Sequence, residues 1–393
     1  MFHPLIFKLN SNKIDDFDKD KNPIILNDFI NLPAMSLGFH TFINRTKNSM
    51  NITKNIEVGN NMQSINNIVE PFNYVIPDYK ESLESLTSTF LNIKINNMTR
   101  DFYISWEILS FFDLVDFKTL NCLCFSENAE SILLSITKYR EKNKLNNKKD
   151  NYKEVNEINN YLNISKKISK SEDYVSLLYL DSPYKWTNSD SQEGESYPTI
   201  IREIFGLLLV LNKNGNLIIK IYESFTKLSV KLIYIITSFF EESYIYKPFF
   251  STASTTDRYL ICKNFKLDQK KDKKKLNNII ELFSDIESKL TNKLYVEDIF
   301  SSMEISSKYY NMFRFINIKI SNIQQITINE IIKYIKGNNY YGKEYHAYRD
   351  NQITSTKWWY STFFKIEDEL TKLLTQTLKK NDMEYNIFIE NII

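Results

Sequence analysis

Lys220 stands inside an apolar run, NLIIKIYE (216–223), that has the make-up of a buried strand. A bare ammonium group there is strongly disfavoured unless an acid or several acceptors answer it. Two acids are placed to do so. Asp181 closes the strand-like run YVSLLYLD (174–181), and Asp257 lies in FFSTASTTDRY, just before a further strand-like run, RYLICKNF (258–265). In an open α/β sheet ligands sit beyond the carboxyl ends of the strands. Parallel neighbouring strands ending at Asp181 and Lys220 would therefore bring an acid and a lysine to one edge. Such a pair can move protons.

The elements that must position these groups follow from periodicity. TRDFYISWEILSFFDLV (99–115) has helical spacing, with Thr99 in capping position. LNCLCF (120–125) reads as a buried strand, and SENAESILLSITKYR (126–140) as a helix capped by Ser126 with acids in its first turn. YPTIIREIFGLLLVLN (197–212) reads as a helix with Pro198 near its start. KNG (213–215) turns the chain into the Lys220 strand, and a long helix follows over 224–242. Two strands, 243–248 and 258–265, close the unit. This order predicts an α/β fold: a Rossmann-like, mostly parallel sheet with an antiparallel terminal hairpin. Residues 1–95 read as an irregular N-terminal region of mixed short elements and 96–266 as the sheet domain. Within that domain, 141–173 reads as a polar, solvated insertion with one surface helix. Residues 276–393 read as a mainly helical C-terminal region, reached through a basic linker, KLDQKKDKKK (266–275).

Composition excludes several classes. With 50 basic and 48 acidic residues, any nucleic-acid surface has to be a local patch. Three cysteines give no disulfide framework and fit a reducing compartment. Cys122 and Cys124 read as buried side chains, His3, His40 and His346 are scattered, and no metal site is expected. The first residues lack the pattern of a signal peptide, and no run is long and apolar enough to span a bilayer. The cluster Tyr340, Tyr341, Tyr345, Tyr348, Trp358 and Trp359 can stack bases or pack a helix.

GNLIIKIYESFTKLSVKLIYIITSFFEESYIYKPFFSTASTTDRYLICKNF (215–265) resembles the C-terminal half of the FtsJ-like RNA 2′-O-ribose methyltransferases. The resemblance rests on Gly215, Lys220, Lys247–Pro248, Ser251, Asp257 and Tyr259 to Lys263. With its long flanking segments the chain is similar to the FtsJ-like proteins of African swine fever virus and other large DNA viruses. The resemblance implies S-adenosylmethionine as cofactor, RNA (an mRNA cap or another RNA) and viral proteins as partners, and no membrane. It places the protein in the cytoplasm, in a viral factory or virion. The family's Lys-Asp-Lys-Glu tetrad falls on Ile104, Asp181, Lys220 and Asp257, with Glu107 matching a further family Glu. Its cofactor loop falls on Phe125, Ser126, Asn128 and Ala129. The chain departs at two of these places. Ile104 cannot orient a hydroxyl, and SENAE (126–130) has no glycine where backbone must approach a ligand. The insertion offers Glu154, Glu157 and Asp173 as acids for the cofactor ribose. The resemblance thus leaves two readings: an RNA 2′-O-methyltransferase, or a non-catalytic RNA-binding or structural subunit that keeps the fold. S-adenosylmethionine is expected to bind this chain weakly or not at all.

Overall fold

The computed structural model describes residues 5–10, 23–49, 85, 87–92, 98–184, 191–291, 294–337 and 343–365. Its centre is a seven-stranded sheet in the order β1-β7-β8-β6-β5-β3-β4. The strands are β1 (Leu5–Leu9), β3 (Asn121–Ser126), β4 (Asn151–Val155), β5 (Val175–Asp181), β6 (Leu211–Ile221), β7 (Phe240–Lys247) and β8 (Arg258–Phe265). Four neighbours, β4, β3, β5 and β6, run parallel. β8 is antiparallel to both β6 and β7, and β1 is antiparallel to β7. The antiparallel closing pair expected from the sequence is present.

Alternation along the strands makes two cores. Phe125, Leu180, Ile219 and Leu260 face one layer, formed by α4 (Ile158–Ser171), α5 (Gln192–Val210) and α6 (Lys227–Ser238). Cys124, Tyr179, Ile218 and Tyr259 face the other, formed by α2 (Arg100–Phe112), α3 (Ala129–Lys142) and α9 (Lys343–Phe363). Asp181 and Lys220 continue the second set, so both point toward the side of α2 and α3.

Several expectations change. The insertion read as solvated contains the edge strand β4 and the amphipathic helix α4, which buries Tyr161, Leu162, Ser165 and Ile168. Its strand was hidden because an edge strand buries little; here only Val155 is buried. Ser126 is the last residue of β3 rather than a helix cap, and its hydroxyl accepts from the Asn128 amide at 3.1 Å. Thr99 stands at the N-cap of α2 without a capping bond and donates instead to the Ser131 hydroxyl at 3.0 Å. α5 starts at Gln192 and runs through Pro198. β6 starts at Leu211, so KNG is an irregularity inside the strand, with Asn214 at φ 61°.

The flanking regions join the same body. β1 extends the sheet. A small second sheet pairs β2 (Ile24–Asn27) with β9 (Tyr295–Ile299). α1 (Leu37–Ser49) packs on α8 (Ser307–Lys336). Trp359 is fully buried among Tyr103, Phe250 and Phe364, so it is core and not a base-stacking surface. Tyr340 and Tyr341 lie outside the described residues. The basic stretch 266–275 is an ordered turn leading into α7 (Lys273–Lys289). Lys273, Lys274 and Lys275 fill the first turn of that helix, which has no acid within the turn and Asp272 at its N-cap; each lysine opposes the helix dipole by about 0.3–1 kcal/mol. Among the described residues no helix is long and apolar enough to cross a membrane.

Candidate active site at the carboxyl edge of the sheet

Register brings the first two site residues together. Leu180 pairs with Ile219, so Asp181 and Lys220 lie side by side at the ends of β5 and β6. The Lys220 ammonium is 2.9 Å from Asp181 Oδ1, and the Tyr259 hydroxyl donates to Oδ2 at 3.3 Å. The Asp181 side chain is 7% exposed and that of Lys220 20%, so the lysine is the member that a ligand can reach. Burial would lower the Lys220 pKa, but the charges of Asp181, Tyr222 and Asp257 outweigh it, and the group is held well above its ordinary value. Burial raises Asp181 above the usual carboxylate range. Lys220 opposes that shift, while Asp101 and Asp257 add to it.

Asp257 joins through charge rather than contact. Its carboxylate is 3.4 Å from Lys247 and takes the Thr255 hydroxyl. Burial would raise its pKa; Lys247 first, then Lys220, outweigh this and hold it at about 2. Lys247 is itself buried and donates to the carbonyls of Thr252 (3.0 Å), Thr255 (3.1 Å) and Asp257 (2.8 Å). One ammonium group therefore shapes the whole loop that carries Asp257. The sequence showed Lys247 as part of a pattern, but only the fold shows that it is wrapped by that loop.

α2 closes the site from the second layer. Ile104 is 2% exposed in the apolar cluster, so it takes no part in proton chemistry. One turn earlier, Arg100 donates to the Thr252 hydroxyl, and its charge acts on Asp257. Asp101 accepts from Asn128 Nδ2 at 2.6 Å. Glu107, fully buried, takes the Tyr246 hydroxyl, the Phe249 and Phe250 amides (2.6 and 3.2 Å) and Trp359 Nε1 (2.9 Å). Burial pushes Glu107 up to about 7 against those four bonds. It ties α9 and the residues after β7 to α2. Sequence reasoning had no role for Arg100 or Asp101; for Arg100 the signal was its spacing to Ile104, one helical turn on the same face.

Chain order reverses direction at β3, with β4 on one side and β5 on the other. That is a topological switch point, where α/β sheets open a crevice for nucleotide-like ligands. Ser126 pairs with Asp181 across it. Of the loop residues expected there, Phe125 is stacked on Tyr161 in the opposite core, and Ala129 is buried. Ser126 and Asn128 stand at the crevice, with the Asn128–Asp101 bond across its mouth. Glu154 and Glu157 are exposed at the carboxyl end of β4, on the same edge. Asp173 lies at the amino end, bonded to Lys153 at 2.8 Å, and is not part of this edge. Glu154 and Glu157 are thus acids on the same edge as Asp181, and the loop 126–130 between β3 and α3 carries no glycine. No group of three or more potential metal ligands occurs among the described residues.

Residues 184–265 match the FtsJ-like methyltransferase family. The chain carries an FtsJ-like methyltransferase domain. It is 32% identical over 117 residues to cap-specific mRNA (nucleoside-2′-O-)-methyltransferase 1 of Dictyostelium discoideum, which covers 30% of this chain and 14% of that protein. It is 38% identical over 79 residues to a probable methyltransferase of African swine fever virus, 20% of this chain and 19% of that one. The likeness to an uncharacterized protein of Acanthamoeba polyphaga mimivirus is longer but fainter: 25% identity over 260 residues, 65% of this chain and 67% of the relative. The first of these relatives is thus matched over a small part of its length.

Proposed function

We propose that this chain is an RNA 2′-O-methyltransferase of the mRNA-capping type, acting on a ribose hydroxyl at Asp181 and Lys220. The observation that carries the reading is the 2.9 Å pair at the switch-point edge, buried enough to shift both groups. The names of the relatives support the ribose as acceptor and the cap as substrate class. S-adenosylmethionine, when bound, supplies an electrophilic methyl group. The residues of the chain do the rest. Lys220, charged and partly exposed, holds the acceptor oxygen and stabilises the alkoxide that develops on it. Asp181, ionised and with its pKa raised toward neutrality, accepts the hydroxyl proton as the O–H bond breaks. Tyr259 fixes the Asp181 carboxylate, and Asp257 with Lys247 sets the field around Lys220. Ser126, Asn128, Glu154 and Glu157 would hold the donor's nucleoside.

The test is transfer of labelled methyl from S-adenosylmethionine to capped RNA, with nuclease digestion to locate the label. Incorporation at a ribose 2′-oxygen, abolished by Lys220→Met and Asp181→Asn, is expected. Incorporation into a base, or transfer that survives both substitutions, overturns the reading. A second reading is favoured by one observation, the Asn128–Asp101 bond across a glycine-free loop. Under it the chain keeps RNA binding without transfer, as a subunit of a larger assembly, and the same assay returns no label while RNA affinity persists.

A further inference from the structure

The amino edge of the sheet, opposite the site, carries a charge pattern that the proposed reaction does not use. Lys270, Lys271, Lys273, Lys274 and Lys275 are exposed on the turn 266–272 and the first turn of α7, and Lys213 is exposed beside them at the start of β6. The turn is built, not loose. Gln269, 8% exposed, drives its amide into the carbonyls of Leu208 (3.1 Å) and Leu211 (2.8 Å) at the end of α5. Asp268 accepts the Lys270 and Lys271 amides, both at 3.0 Å, and Asp272 accepts the Asp268 amide at 2.8 Å. Lys213 and Lys271 act on Asp268, and Lys270 reaches Glu172 at 2.9 Å, with Lys273 nearby. Six lysines thus gather around three carboxylates, Asp268, Asp272 and Glu172, in a chain whose whole net charge is +2.

We infer that this edge is a docking surface for the phosphodiester backbone of the RNA substrate, away from the reaction site. Three lysines in the first turn of α7 outnumber the one acid at its N-cap, Asp272, and six lysines outnumber the three carboxylates of the patch, so an external anion answers the charge left over. The surface also lacks what a protein partner needs. None of the exposed large apolar side chains among the described residues lies in 166–173, 212–215 or 266–275, and protein interfaces are anchored by such groups. Lysines are point charges that bind backbone without reading sequence. The distance from Lys213 to Lys220 along β6 is roughly 20 Å at ordinary strand rise. A cap with two or three nucleotides therefore reaches the site alone, whereas a longer strand reaches both.

The inference takes RNA as ligand from the proposed function, and binding separates the two. Fluorescence anisotropy is measured with single-stranded RNA of roughly 30 nucleotides and with a trinucleotide, over about 50–200 mM salt. The protein is compared with the variant carrying Lys271→Gln, Lys273→Gln, Lys274→Gln and Lys275→Gln together. The long RNA is expected to bind about tenfold more weakly to the variant, with a salt slope shallower by about 0.7 for each phosphate that is no longer neutralised. Trinucleotide binding and the melting temperature are expected not to fall. Equal affinity and slope in the two proteins, no binding of long RNA by the parent, or tighter binding of polyglutamate than of RNA overturns the proposal. Absence of methyl transfer alongside the expected weakening of RNA binding overturns the enzymatic reading and leaves this surface standing.

Discussion

The two halves of the carboxyl edge are held in different ways. On the β5–β6 side, Asp181, Lys220 and Tyr259 form a connected, buried constellation, and Lys247 holds Asp257 in its field. On the β3–β4 side, a glycine-free loop is bridged by Asn128 to Asp101, and Ile104 fills an apolar position on α2. Charged groups at strand ends demand partners, so the first half is held by the cost of losing any one member. The second half has no such demand. A loop that must leave room for a ligand is stabilised when side chains fill that room, and binding is weakened accordingly. The β5–β6 half is thus more constrained by folding than the β3–β4 half.

The sharpest way to break this contrast is to remove one member of the pair. Lys220→Met is expected to lower methyl transfer by roughly two to four orders of magnitude. Asp181→Ala, which strands a largely buried ammonium, is expected to destabilise the fold by about 3–5 kcal/mol in urea unfolding. An unchanged midpoint would mean that Lys220 is satisfied without Asp181.

A second experiment uses pH. Glu107 rises from 4.5 in the unfolded chain to about 7 when folded. Its contribution is therefore complete below pH 4.5 and is lost as pH rises toward 7, by about 3 kcal/mol in all. Glu107→Gln is expected to flatten that part of the stability curve, leaving the separate rise of Glu203, pushed up to about 8 mainly by burial. A slope unchanged in the variant would remove Glu107 as its source.

The β3–β4 half is tested by calorimetry. The parent is expected to bind S-adenosylmethionine with Kd in the range of about 0.1–1 mM, or about −4 to −5.5 kcal/mol. Asp101→Ala, which releases Asn128, is expected to tighten it by several-fold. Micromolar binding by the parent would show that the loop is no obstacle. The smallest effect belongs to the exposed pair Lys153–Asp173 at the amino edge, where Asp173→Asn is expected to shift stability by less than about 0.5 kcal/mol.

Sequence alone located β3, β5 and β8 closely, and the second half of β6, because their apolar runs are buried on both faces and bounded by turn residues. It also determined that Asp181 and Lys220 would meet, since a lysine inside such a run has to be answered by a neighbour at the strand end. Tertiary structure alone decided the rest. β4 buries little more than Val155 and left no apolar run to read, and β1 comes from far along the chain to cover the edge of β7. Trp359, equally fit to stack a base, became core because Glu107, more than two hundred residues away, offers its indole the buried acceptor it needs. Lys247 became the organiser of the Asp257 loop because three carbonyls converge on it. Local pattern specifies what a segment must bury; which distant group satisfies a buried polar atom is settled only when the chain has closed around it.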